Sequence, residues 1–261
     1  MSNPTVNTPV NKHQIIVAVL FMLVVGAAIL NLSSSFLVDN WHKDSPRELP
    51  PEKRMLRFGS EYTEGSWTEY KNISIAMIGD SNFEYEKDWN KLAGRMDIAT
   101  FAISGFPAVY FEKLEAATLV AKSGSEGVLP KALMMLGTND ILYGVPPAEV
   151  KESIVRIVTS LREKEIEVTL IAVPFCGKSR MWSKKRMLLV NSEIKELNEL
   201  VTKWCEKNGV QIYDINPTVA PNGVLDPDFS IGDGLHLSKE GRDEIVKILV
   251  KVGQEVDQQP K

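Results

Sequence analysis

Hydrophobic and polar positions along the chain follow two different patterns. Residues 15–30, IIVAVLFMLVVGAAIL, carry no charge, and 31–36 prolong the run with small polar interruptions. From about residue 71, short apolar runs alternate with stretches whose apolar residues recur every three or four positions. The short runs lie at 73–78, 97–102, 131–136, 167–173 and 210–214. They predict strands, because brief apolar runs rich in β-branched residues and bounded by turn formers suit a strand buried on both faces. Between them, Val150, Ile154, Ile157, Val158 and Leu161 mark one helical stripe, and Val190, Ile194, Leu197, Val201 and Trp204 another. Ile245, Ile248, Leu249 and Val252 mark a last one. Strands alternating with helices predict βαβ units, and so an α/β fold whose parallel sheet is covered on both faces.

The first pattern has a different meaning. About 20 helical residues cross the roughly 30 Å of a bilayer core, so residues 15–34 are expected to form one transmembrane signal-anchor helix. A core helix at this place would have no neighbouring elements to pack on. A cleaved signal peptide would have a shorter apolar stretch and a small-residue cleavage site, and no lipid-attachment cysteine follows. Lys12 precedes the span without an acid, whereas Asp39, Lys43, Asp44, Arg47 and Glu48 nearly cancel beyond it. The positive-inside rule then makes 1–14 a cytoplasmic tail and the remainder extracytoplasmic, periplasmic or at the cell surface. Residues 35–70, rich in charge, Pro and Gly, read as a membrane-proximal linker, 71–256 as the folded domain and 257–261 as a tail.

Composition narrows the function. The chain of 261 residues has 44% hydrophobic and 25% charged residues and a formal net charge of -4. Its Lys and Arg are scattered among acids, so no nucleic acid partner is expected. Cys176 and Cys205 would be separated by the length of a helix over 187–206, about 30 Å, against the roughly 7 Å a disulfide spans; both thiols are expected free. The segment AVPFCGKS, 172–179, imitates a phosphate-binding loop, but Ala172 stands where a glycine should open it and Pro174 lacks an N–H, so no nucleotide is expected.

In an open parallel sheet, ligands bind beyond the carboxyl ends of the strands. Gly79-Asp80-Ser81 follows the first strand, Ser104-Gly105 the second and Gly137-Thr138-Asn139-Asp140 the third, while Asp233-Gly234-Leu235-His236 precedes the last helix. Ser81, with Glu84 three residues on, has the spacing of a capping box. It also has the setting of a nucleophile, which needs a histidine base held by a carboxylate. Of three histidines, His13 and His42 flank the apolar segment, leaving His236 for the folded domain. Asp233 is favoured as its partner by spacing, with Asp226 and Asp228 as competitors. The Ser81 and Gly105 N–H groups and the Asn139 amide suit an oxyanion hole. Each has an ordinary structural reading too: a turn before Pro107, a β-turn over 137–140, a loop pair at Asp233-Gly234.

Taken in order, GDS at 79–81, SG at 104–105, GTND at 137–140 and DGLH at 233–236 resemble the four blocks of the SGNH/GDSL hydrolases. The resemblance covers about 72–252. It implies a three-layer α/β/α flavodoxin-like fold and a serine esterase without cofactor or metal, acting on acyl or acetyl esters of lipids or carbohydrates. Ser81 would be the nucleophile, Asp233 and His236 the rest of the triad, and Ser81 N–H, Gly105 N–H and Asn139 the oxyanion hole. Capping and attack would then compete for the Ser81 hydroxyl. Asn82 and Phe83 depart from the Leu or Ile and the Thr that often follow this serine, which leaves substrate class open. An O-acyltransferase working through the same acyl-enzyme and a non-enzymatic envelope-binding module are the other readings.

Overall fold

The structure is a computed structural model and describes residues 70–113, 116–124, 128–180 and 182–258. The expected tail at 1–14, the span at 15–34 and the linker up to residue 69 lie outside the described residues. Among the described residues no helix is long and apolar enough to cross a membrane. Tyr70, the last residue of the expected linker, already belongs to the fold: its ring packs edge-on against Phe101 at 5.2 Å.

The short apolar runs form β1 (Ile75–Gly79), β2 (Ile98–Ala102), β3 (Lys131–Met135), β4 (Val168–Ile171) and β5 (Gln211–Tyr213). They make one sheet in the order β2-β1-β3-β4-β5, each pair parallel. This is the flavodoxin-like order, in which the direction of winding reverses between β1 and β3. Strand alternation sends Ala76 and Ile78 to one face and Ile75 and Met77 to the other. On the first face they join Phe111, Val120, Ile154, Leu161, Ile194 and Leu197. On the second they join Phe83, Trp89, Val219, Ile245 and Leu249.

Among the described residues the α-helices are α1 (Ser81–Glu84), α2 (Trp89–Ala93), α3 (Ala108–Lys113), α4 (Ala116–Ser123), α5 (Thr138–Leu142), α6 (Pro147–Glu163), α7 (Lys184–Asn208), α8 (Asn216–Val219) and α9 (Lys239–Asp257). Helical periodicity marks α6, α7 and α9, each long enough to show a stripe. The short helices are too brief for that signal, and α9 runs to Asp257, one residue past the expected end of the domain.

Cys176, beyond β4, and Cys205, in α7, are free and buried. Burial pushes the two thiols up to about 12 and about 11, so neither supplies a thiolate near neutrality. In the glycine-lysine-serine segment, the Gly177 N–H donates to Gly234 O at 2.7 Å, and α7 begins only at Lys184. That amide is engaged in protein contacts, unlike one that cradles phosphate.

Candidate active site

Ser81 opens the single turn of α1, directly after β1. The residue that caps this helix is Asp80, whose backbone is extended (φ -104, ψ -153) and whose Oδ1 accepts from Asn82 N at 3.0 Å. The capping-box reading of Ser81 and Glu84 is therefore corrected by one residue. Glu84 reaches the next loop instead, its carboxylate accepting from Ser104 N. Since Asp80 takes the cap, the expected competition for the Ser81 hydroxyl does not arise. The Ser81 N–H, first in the helix, has no backbone partner among the described residues.

His236 sits in a loop knitted by its own aspartate. Asp233 Oδ1 accepts from the backbone N–H groups of Leu235 and His236, both at 2.9 Å, while Oδ2 lies 2.5 Å from His236 Nδ1. Burial disfavours the Asp233 charge, but hydrogen bonds from the imidazole and from these amides outweigh it and hold the carboxyl below its usual range. An ionised carboxylate only accepts, so Nδ1 carries a proton, and in the neutral form of the ring Nε2 is then an acceptor. Ser81 Oγ stands 2.8 Å from Nε2. Asp226 and Asp228 are elsewhere: Asp226 caps a 3₁₀ turn, its Oδ1 accepting from Asp228 N at 3.0 Å. Gly234 fits this loop because it adopts φ +70 and because a Cβ there would lie 2.5 Å from Lys178 O.

The remaining donors flank the serine on neighbouring strands. Gly105, at φ +73, turns the chain after β2, and its carbonyl accepts from Tyr143 Oη at 3.0 Å. Its N–H has no backbone partner among the described residues. Asn139, buried at the start of α5, holds its Nδ2 3.4 Å from Asp80 Oδ2 and 3.4 Å from Phe106 O. Beneath it are two carboxyls. Burial pushes Asp80 up to about 6, against the pull of the Asn82 amide, His236 and Thr138. Burial also pushes Asp140 up to about 7, against donors that include Ala108 N, with Asp80 adding repulsion. Among the described residues no group of three His, Cys, Asp or Glu side chains is arranged to hold a metal ion.

A hydroxyl facing a neutral imidazole that is in turn held by a carboxylate can lose its proton as it attacks an electrophilic carbon. Residues 58–243 match the model of the GDSL-like lipase/acylhydrolase family. The chain belongs to that family. Among solved structures, this family member is similar to a GDSL-like lipase from Bacteroides thetaiotaomicron, with a TM-score of 0.58, 18% identity, and coverage of 80% of this chain and 98% of that one. It is also similar to a carbohydrate acetylesterase from Sinorhizobium meliloti, with a TM-score of 0.53, 16% identity, and coverage of 71% and 100%. At such identities these likenesses concern the fold. A curated relative, an N-acylneuraminate cytidylyltransferase of Streptococcus agalactiae serotype V, is 25% identical over 113 residues, 43% of this chain. The aligned part is 25% of that protein's length.

Some residues around the site have no signal in local sequence. Tyr85, half exposed, lays its ring 4.4 Å from the His236 ring. Arg242 Nη1 donates to Leu237 O at 2.7 Å, and the same guanidinium pairs with Glu86. Asn82, visible in the sequence only as a departure from the family's usual residue, turns its Oδ1 to Leu237 N at 3.0 Å.

Proposed function

We propose that this family member is a serine esterase that hydrolyses carboxylic esters through Ser81, His236 and Asp233. The observation that carries the reading is the pair of contacts on one imidazole, Ser81 Oγ at 2.8 Å from Nε2 and Asp233 Oδ2 at 2.5 Å from Nδ1. In the first step Ser81 Oγ attacks the ester carbonyl while Nε2 takes its proton. The imidazolium is stabilised by Asp233, and the carbonyl oxygen gathers negative charge. Ser81 N–H, Gly105 N–H and Asn139 Nδ2 are the donors for that charge. Nε2 then returns the proton to the departing alkoxide, leaving an acyl-serine. Water, deprotonated by Nε2, attacks the acyl carbon; the bond to Ser81 Oγ breaks, Nε2 returns the proton to Oγ, and the acid leaves.

Carbohydrate O-acyl esters are the first substrate class to try, because the names of a fold neighbour and of the partial curated relative both concern sugars. We further propose that residues 15–34 anchor the enzyme in a membrane with the hydrolase domain outside the cytoplasm, a reading supported by the apolar run and, for its orientation, by the charges flanking it. A C-terminal tag digested by protease in intact cells, on a chain that resists carbonate extraction, is the expected result; a processed soluble product argues for a cleaved signal peptide.

The deciding experiment uses the full chain in detergent and a fluorophosphonate, which reacts with a serine whose proton a neighbouring base removes. One adduct on the peptide containing Ser81, lost in Ser81→Ala and strongly reduced in His236→Ala, is expected, together with turnover of acetyl or butyryl esters. A folded protein that neither labels nor hydrolyses returns Ser81 to a structural role and favours a binding module. Adding a sugar acceptor to the same assay separates hydrolysis from acyl transfer.

A further inference from the structure

Ser81 and His236 stand 155 residues apart in sequence, and the next residue of each makes a contact of its own: Asn82 Oδ1 accepts from Leu237 N at 3.0 Å. The two hydrogen bonds form a ladder of adjacent residues, Ser81 with His236 and Asn82 with Leu237. We propose that Asn82 is a positioning residue, whose side-chain oxygen fixes the orientation of the histidine loop on the turn that carries the nucleophile. The inference rests on the serine-esterase reading above.

A single contact between two loops leaves a pivot. The Tyr85 ring, at the end of α1, lies 4.4 Å from the His236 ring and limits its tilt, but the Ser81–His236 bond would still leave the loop backbone free to turn about it and carry Nε2 out of line with Oγ. The second bond, one residue along on both strands of the ladder, removes that freedom. It is short on both sides: Asn82 follows the nucleophile directly, and Leu237 N belongs to the peptide that begins at the His236 Cα. The contact is also dry, since Asn82 is 3% exposed and Leu237 1%. Water is therefore poorly placed to replace a lost acceptor. Elsewhere the loop is held from its far side, where Gly177 N donates to Gly234 O at 2.7 Å, and at the Leu237 carbonyl, which accepts from Arg242. Arg242 also pairs with Glu86, two residues past α1, but neither link reaches the residue beside the nucleophile. The position asks for a short side chain with an acceptor, which asparagine supplies and leucine of similar bulk does not.

The test compares Asn82→Leu, which keeps the volume and removes the acceptor, with Asn82→Asp, which keeps both. Full-length protein in detergent is labelled to completion with a fluorophosphonate to count competent sites, and kcat per site and KM are measured on one soluble ester. Asn82→Leu should lower kcat per site by about 10- to 100-fold, the scale of a small misplacement of reacting groups, with KM within about twofold. The labelling rate should fall in parallel, and Asn82→Asp should recover most of kcat. Wild-type kcat per site in Asn82→Leu, equal losses in both variants, or a loss confined to the number of competent sites would overturn the proposal. If leucine prevents folding, Asn82→Ala is read by the same criteria. Failure of the esterase reading is distinguishable, because it appears as an unlabelled, inactive wild type.

Discussion

Asp140 accepts the backbone N–H of Ala108 with both carboxylate oxygens, at 3.1 and 2.9 Å, and so ties the start of α5 to the start of α3 beside the candidate site. The carboxyl is 1% exposed, and burial pushes it up to about 7. For an acid whose folded pKa is raised from an ordinary value of 3.8, the associated stability is fully present below 3.8 and is lost as pH rises to about 7. Asp80, pushed up to about 6, adds a change of the same sign over a narrower window. In Asp140→Asn the part due to Asp140 should disappear. Urea unfolding between pH 4 and pH 7.5 should show wild-type stability falling relative to the variant as pH rises. Parallel curves across that range would mean that Asp140 titrates normally.

Asn139 is expected to act in turnover. Replacing it with alanine should leave the fold intact, since among the described residues its amide nitrogen makes two long contacts, at 3.4 Å. It should lower kcat by about 10²- to 10³-fold, as loss of one oxyanion donor does, with little change in KM. Unchanged turnover of a short-chain ester would remove Asn139 from the hole.

The carboxylate assignment separates three aspartates. Asp233→Asn keeps the shape of the loop but lets the imidazole take the wrong tautomer, and kcat should fall by about 10⁴-fold. Asp226→Asn and Asp228→Asn, in a 3₁₀ turn where the Asp226 carboxylate accepts from Asp228 N rather than facing the imidazole, should change kcat by less than about threefold. A large loss at Asp226 or Asp228 would overturn the assignment.

Arg95 provides a control at the opposite end of the sheet. Its guanidinium pairs with Asp97, just before β2, and with Asp257 at the end of α9, at 2.8 and 3.0 Å, while only 15% exposed. Arg95→Ala should cost about 1–3 kcal/mol of stability by leaving two carboxylates without their partner. It should leave kcat unchanged, because the candidate site lies beyond the other ends of the strands. A fall in kcat without a fall in stability would show coupling across the sheet.

Fold class was legible in the chain because burial on both faces leaves a signature that needs no partner: brief apolar runs for strands, three- and four-residue spacing for α6, α7 and α9. The short helices α2, α3, α4, α5 and α8 left none, since one or two turns complete too little of a stripe and their stability comes from what they pack on. Residues 79–81, 104–105, 137–140 and 233–236 stood out because each lies at or within a few residues of the boundary of an element, where turn chemistry is visible locally. By itself, then, the sequence determined the alternation of elements, the polar blocks at their ends and the single histidine available to them. Tertiary structure decided the rest. It decided that Asp80 caps α1 and frees Ser81, that Asp233 faces the imidazole while Asp226 turns to its own backbone, and that Asn82 meets Leu237 from 155 residues away. The reason is physical: a hydrogen bond between distant residues is set by angles and distances accumulated over the whole sheet, and no residue type or local spacing encodes that sum.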